Sequence, residues 1–293
     1  MTFPSPVRFF RVAGITLDVA SDRASEILPW HPKLAAFEVE GPGPDTVVIR
    51  HHRTAFPDGP GGPGRLIYDV PPYRIHESGG AWIYRIGEES GGPVQTAVFA
   101  PDYSRADVYT PEPLAIPEGG FECLTLLPTD QVLLAPLLAL RGGCLLHAAG
   151  AIDRGAGWLF AGHSTAGKST IVRMLKERSE ILCDDRIALR PDGGGFRIHG
   201  TWSHGDVADI SPASAPLRAL FVLRKGGRDA IDPILDRRAI VHHLLDLIIK
   251  PLATADWWGL TMAAVENLAA SLRAYELSFG LSGRIREVLD KIS

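Results

Sequence analysis

The chain has 293 residues, 45% of them hydrophobic and 22% charged, enough for one large folded domain or two modest ones with real cores. A formal charge of -4 gives no basic footprint, which argues against nucleic acid as a partner, and no apolar run approaches the ~20 residues that span a bilayer. The opening "MTFPSPVRFFRVAG" lacks the apolar core and small-residue cleavage site of a secretory signal. Cys123, Cys144 and Cys183 are scattered and odd in number. They suit neither a disulfide framework nor a metal site, so the expected compartment is the reducing cytoplasm and the expected role of each is a small buried apolar residue.

In chain order, residues 1–125 read as a small β-rich domain. Its short alternating segments are "VRFFRVAGITLDV", "FEVEG", "TVVIRHH", "RLIYDV", "AWIYRI" and "TAVFA", separated by Gly/Pro clusters such as "PDGPGGPG". The passage "TPEPLAIPEGG" then reads as a linker. Residues 126–293 form the second predicted domain, opening on "TDQVLLAPLLALRGG", a helix with a bend expected at Pro136. Two apolar strands follow, "CLLHAAGAI" and "GWLFAG", joined by the turn "DRGAG". A helix is expected from Lys168 to about Arg178, then one strand, "EILCDDRIALR". "GGGFRIHG" and "LRALFVLRKG" read as strands, "LDRRAIVHHLLDLIIK" and "TMAAVENLAASL" as helices, and "AYELSFG" as a strand before a last helix. A second domain of this kind is α/β in class.

Between "WLFA" and the helix lies Gly162-His163-Ser164-Thr165-Ala166-Gly167-Lys168-Ser169, which fits G-x-x-x-x-G-K-[ST] without a mismatch. The glycines let the backbone curl round a polyphosphate, and the following helix presents its N-terminal N–H groups to the anion. In that role Lys168 neutralises phosphate charge, Ser169 holds Mg²⁺ and Thr170 opens the helix beside it. Asp184 and Asp185 follow Lys168 by only 16 and 17 residues. A short helix would return the chain so that their strand pairs beside "WLFA" and brings both carboxylates to the ligand edge, with adjacent side chains pointing apart. A hairpin centred on Gly155 would set His147 opposite His163, at the mouth of the loop.

With these pieces in place, "LLHAAGAIDRGAGWLFAGHSTAGKSTIVRMLKERSEILCDDRIAL" resembles the catalytic core of HPr kinase/phosphorylase and the wider group of HPr-kinase-like proteins. The resemblance covers roughly residues 130–225. It implies a P-loop kinase domain of the HPr kinase/phosphoenolpyruvate carboxykinase type behind the β-rich domain. On this resemblance Gly162, His163, Ser164, Thr165, Ala166, Gly167, Lys168, Ser169 and Thr170 bind ATP, His147 matches the active-site histidine, and Asp185 matches the carboxylate that takes the acceptor's proton. Ser169, Asp184 and Asp206 are then the candidate Mg²⁺ ligands, and Arg237 or Arg238 the candidate for a later catalytic arginine. Trp202 and His204 are candidate substrate contacts. Thr170 stands where the bifunctional enzymes carry glutamate.

The function this implies is an ATP- and Mg²⁺-dependent kinase acting on a hydroxyl, with serine favoured. The candidate acceptors are a peptide or small protein, a precursor peptide such as a lasso-peptide precursor among them, or a small-molecule alcohol. The resemblance also allows a homo-oligomer. The competing reading is a non-catalytic ATP-binding module that regulates a partner. The histidine pairs His51-His52 and His242-His243 are poor chelators because neighbouring side chains diverge, and Trp257-Trp258 is expected to pack against the sheet.

Overall fold

The structure, a computed structural model, describes residues 7–22, 32–57, 62, 64–87, 93–112, 129–163, 165–226, 229–253, 256–280 and 284–292. Cys123, Ser164 and most of the Pro-rich passage before Thr129 lie outside the described residues. The described residues form a mixed α/β chain with two nine-stranded sheets. It divides into two compact units, residues 1–137 with 251–255, and residues 138–250 with 256–293. No helix among the described residues is long and apolar enough to cross a membrane.

The first unit holds β1 (Arg8–Val12), β2 (Ile15–Ser21), β3 (Glu38–Val39), β4 (Thr46–His52), β5 (Arg65–Val70), β6 (Tyr73–Ser78), β7 (Ala81–Gly87), β8 (Pro93–Phe99) and β9 (Arg105–Tyr109). Their order in the sheet is β3-β1-β2-β4-β9-β8-β7-β6-β5. The segment "VRFFRVAGITLDV" is a hairpin, β1 and β2, closed by Ala13 and Gly14 at φ 51° and 73°. Both central residues are left-handed, as a two-residue hairpin turn requires. The pattern reading passed over β6 and β9, whose polar side chains hide the alternation. A π-helical turn at Asp130–Leu134 runs into α1 (Ala135–Leu140). The widened turn sits directly before Pro136, which has no N–H to complete an α-helical ladder.

In the second unit come β10 (Cys144–Leu146), β11 (Ala148–Asp153), β12 (Ala156–Ala161), α2 (Lys168–Leu175), β13 (Glu180–Cys183), β14 (Ile187–Asp192), β15 (Gly195–His199) and β16 (Ser214–Lys225). After them come β17 (Ala230–Pro233), α3 (Arg237–Leu247), α4 (Trp257–Ser271), β18 (Arg273–Phe279) and α5 (Ile285–Leu289). The sheet runs β10-β14-β15-β16-β12-β11-β13, with β18 between β16 and β17. Strands β12 and β16 alternate cleanly. Trp158, Phe160, Ala219 and Phe221 face a core completed by α2 and α5. Leu159, Ala161, Leu220 and Val222 face the opposite core, completed by α3 and α4. Phe160 and Phe221 stack at 5.2 Å, and burying each such side chain contributes about 2 kcal/mol.

Three expectations are corrected here. The two long strands are each broken, "CLLHAAGAI" at His147 and "EILCDDRIALR" across Asp184, Asp185 and Arg186. After α2 the chain does not pair beside β12, because β11 lies between β12 and β13. The hairpin closes with Asp153 opposite Ala156, its turn formed by Arg154 and Gly155 at φ 49° and 79°. Its centre therefore falls between those two residues rather than on Gly155, which removes His147 from opposite His163.

Two burials give testable consequences. The fully buried carboxylate of Asp153 is paired with Arg286 of α5 and accepts from Ser179 Oγ at 3.3 Å. Replacing Arg286→Leu strands that charge, so urea denaturation should show a loss of about 3 kcal/mol or more, partly restored in the double variant with Asp153→Leu. His199 on β15 is buried, and burial together with Arg190 and Arg197 pushes its pKa down to about 4. The fold accepts the neutral ring, so the unfolded state binds the extra proton first. Stability should be unaffected above pH 6.5 and fall by about 3 kcal/mol as pH drops towards 4. Denaturation midpoints of His199→Leu across that window should lose this slope.

Candidate functional site

The loop from β12 to α2 is built on local constraints. A Cβ on Gly162 would lie 2.5 Å from the Ala166 Cβ, and one on Gly167, at φ 106°, would meet the Phe279 ring at 2.7 Å. Thr165 sits at φ 71°, a left-handed conformation that costs a β-branched residue about 1–3 kcal/mol and that clusters at functional sites. Lys168 opens α2 but its ammonium turns back, donating to Gly162 O at 2.9 Å and to His147 Nε2 at 3.0 Å. Burial lowers its pKa, with Arg186 adding to the effect and Asp185 and Asp184 opposing it.

His147 occupies the gap between β10 and β11, where its N–H donates to Leu247 O at 2.7 Å. Its Nδ1 lies 2.8 Å from Asp185 Oδ1, and Arg186 Nη1 lies 2.8 Å from the same oxygen. Arg186 Nη1 also lies 2.8 Å from His147 Nδ1, so that nitrogen meets a guanidinium donor and a carboxylate oxygen together, while Nε2 faces the lysine. Burial alone would raise the Asp185 pKa. The hydrogen bond from His147 and the charges of Arg186, His147 and Lys168 outweigh it and hold the carboxyl below its ordinary range.

Asp184 points the other way. Its carboxylate, 2% exposed, accepts from Gly205 N–H at 2.6 Å, Val207 N–H at 3.1 Å and Ser169 Oγ at 2.8 Å. A Cβ on Gly205 would press within 3.3 Å of both carboxylate oxygens, so the residue-205 turn is a tight cradle for this side chain. The turn presents Asp206, whose Oδ2 lies 3.4 Å from Ser169 Oγ. Among the described residues no cluster of three or more His, Cys, Asp or Glu is placed to hold a metal. One hydroxyl and two carboxylates are nonetheless a hard, all-oxygen set, suited to Mg²⁺, which takes few protein ligands and completes its shell with water and phosphate. The residues fit that ion.

These side chains line a cleft of about 360 Å³. It brings together His147, Thr165, Gly167, Lys168, Ser169, Thr170, Asp184, Asp185 and Asp206 from the sequence reading. It adds Arg173, Gly205 and Lys225, which that reading missed. Arg173 was findable, because it lies four residues after Ser169 on the same helix face. Lys225 was not. Its place depends on β16 lying parallel to β12, so that both strands end at one edge. Gly162, His163 and Ala166 line a second cavity on the other side of Thr165. Arg237 and Arg238 start α3 and line neither cavity, Trp202 is fully buried, and His204 hydrogen-bonds the neighbouring Gly205 carbonyl.

Cys144 and Cys183 are buried, and burial pushes their thiols up to about 12 and about 11. Of the tryptophan pair expected to pack against the sheet, Trp257 does pack in the core, but Trp258, its neighbour on the helix surface, stays 39% exposed with the Lys250 ammonium over its ring. His52 pairs with Asp107, and its neighbour His51 is buried.

The class defined by this fold and site is a mixed α/β protein with a polar cleft at the strand ends, where a glycine turn, a buried lysine and two sets of carboxylates converge. The family profile described as "SynChlorMet cassette protein ScmC" matches residues 131–293, and the chain belongs to that family. No curated protein matches the sequence. Among solved structures, the HPr(Ser) kinase/phosphatase from Coxiella burnetii aligns at 11% identity and a TM-score of 0.31, covering 50% of this chain and 94% of that one. An overlap that loose carries no argument about fold or activity.

Asp184 should act as an anchor before anything else. Asp184→Ala leaves the Gly205 and Val207 amides without their acceptor, a loss of about 2 kcal/mol or more. Hydrogen exchange should show both amides losing protection while the β12 core keeps its own.

Proposed function

We propose that this protein is an ATP- and Mg²⁺-dependent kinase that transfers the γ-phosphoryl group to a hydroxyl. The observation that carries this reading is the meeting of Lys168, His147 and Asp185 at one end of a cleft whose other end holds Ser169, Asp184 and Asp206. A regulatory nucleotide module needs the loop and the hydroxyl. It does not need a carboxylate oriented by a histidine beside the loop lysine.

Each residue has a definable task. The α2 N-terminus and the loop N–H groups receive phosphate oxygens, as does the Lys168 ammonium. Ser169, Asp184 and Asp206 would hold Mg²⁺, which when bound would offset phosphate charge. Arg173 donates to Asp206 O at 3.2 Å and steadies that carboxylate's turn. His147 holds Asp185 in one orientation, and Asp185 aligns the acceptor hydroxyl and takes its proton. The motif resemblance to HPr-kinase-like proteins supports the same roles. The acceptor classes it brings are a peptide, a small protein or a small alcohol.

Asp185→Asn separates binding from transfer. Calorimetric titration with ATP and Mg²⁺ should give an affinity close to that of the parent, while phosphoryl transfer, followed by mass spectrometry, falls by about 10²–10⁴. Lys168→Met should lose both. An Asn variant that transfers phosphate at the parent rate would overturn the assignment. A parent that binds ATP but transfers to no hydroxyl would favour the regulatory module.

A further inference from the structure

Beside the cleft lies a second cavity of about 320 Å³, on whose far wall, beyond the loop residues Gly162, His163, Thr165 and Ala166, stand side chains that the roles above do not use. It shares Thr165 and Lys225 with the cleft. Its apolar lining includes Val222, Leu223 and Leu247, and its polar lining includes His163, Arg224, His243 and Asp246. Its position can be fixed from contacts already described. Leu247, which lines it, accepts the His147 N–H, and Gly162 O, at its rim, accepts from Lys168. The second cavity therefore adjoins the His147–Lys168–Asp185 end of the cleft, away from Ser169 and Asp206. In a transferase, that is the end from which the acceptor must approach.

The charges on its walls are divided. Arg224 is committed to Glu276 at 3.1 Å. His243 is kept towards its neutral form by burial and by the Arg224 charge, against the opposing pull of Asp246. Lys225 at the end of β16 and Asp246 on α3 carry opposite charges, and neither has an ion pair or a side-chain hydrogen bond among the described residues. On α3, His243 lies three residues before Asp246 and four before Leu247, a spacing that brings it beside both on the helix surface. A small ligand matching both of these charges presents a cation to Asp246 and an anion to Lys225. An internal serine of a peptide does not, since its amino and carboxyl groups are amides. A free hydroxy-amino acid does, and the volume is at the small end of small-molecule sites.

We propose that this cavity seats the phosphoryl acceptor and that the acceptor is a free hydroxy-amino acid, its ammonium read by Asp246 and its carboxylate by Lys225. The inference rests on the kinase reading. In the step it implies, the acceptor's hydroxyl oxygen forms a bond to the γ-phosphorus and the bond from that phosphorus to the β,γ-bridging oxygen breaks. The hydroxyl proton passes to Asp185, and ADP leaves with the electron pair.

The test uses the full chain with ATP and Mg²⁺ and four acceptors: L-serine, 3-hydroxypropionate lacking the ammonium, ethanolamine lacking the carboxylate, and N-acetylserinamide lacking both charges. Phosphorus NMR should show transfer to serine with a kcat/KM at least tenfold above each analogue. Asp246→Asn should raise the KM for serine about tenfold or more, leave the KM for ATP within twofold, and narrow the preference for serine over hydroxypropionate. Asp246→Glu should recover part of the loss. Equal transfer to N-acetylserinamide, transfer to peptides but not to serine, or an unchanged serine KM in Asp246→Asn would overturn the inference and leave the kinase reading standing. If the parent binds no ATP, the kinase reading fails. Calorimetric titration with serine alone then decides the cavity: binding weakened by Asp246→Asn supports it, and absence of binding overturns it.

Discussion

Two strands break side by side, at His147 and at Asp184–Asp185, and the charges placed in those breaks cannot be buried one at a time. Leu146 pairs with Ile187 on one side of the gap and Gly150 with Cys183 on the other, so both interruptions fall at the same level of the sheet. Lys168 is only 8% exposed, and a lysine so placed without partners would lose its proton or its position. Here Lys168, His147, Asp185 and Arg186 contact one another in sequence, so that each charge has a polar or opposite partner. The backbone is braced to match: Thr201 Oγ1 donates to Arg186 O at 2.7 Å, and so does Cys183 Sγ at 2.8 Å. The buried cysteine thereby serves the site through its backbone geometry, with no need of thiolate chemistry.

Why the charge gathers there follows from the sheet. β12 and β16 are covered on both faces, by α2 and α5 on one side and α3 and α4 on the other, so their flanks have no room for polar groups. Ligands in such sheets bind beyond the carboxyl ends of the strands. β12 and β16 run parallel, and β13 is antiparallel to β11, which is itself antiparallel to β12. Their carboxyl ends thus share one edge. The loop that follows β12, the acid pair that follows β13 and Lys225 at the end of β16 meet at that edge without any long-range rearrangement.

What the sequence made legible was whatever depends on a few adjacent residues. The glycines of the loop are needed for backbone reasons visible in the motif itself, and all its described residues take part in one of the two cavities. The acid pair was found through its distance from Lys168, and the divergence of its two side chains through strand geometry. The hairpin register failed by one position because Arg154 adopts φ 49°, a left-handed conformation that the sequence gives no reason to expect of an arginine. The breaks in the two strands were hidden because apolar residues continue on both sides of them. Which strand lies beside β12 depends on β11 having already taken that edge, a tertiary fact with no local trace. Lys225 was lost with it. The β-rich unit was legible as a class, yet the polar strands β6 and β9 escaped the alternation test.

The division of labour between the two aspartates bears on how a weak base can serve in a kinase. Asp184 gives its lone pairs to Gly205, Val207 and Ser169, and is occupied by structure and by the hydroxyl suited to Mg²⁺. Asp185 engages His147 and Arg186 through Oδ1. A carboxylate held below its ordinary pKa is a poor proton acceptor early in a reaction. In phosphoryl transfer the bond to the attacking oxygen forms late, and the hydroxyl becomes strongly acidic only as that bond is made. Orientation then matters more than basicity. The contacts that depress the Asp185 pKa are the ones that fix its direction, so in the kinase reading the same three neighbours that weaken the base also aim it.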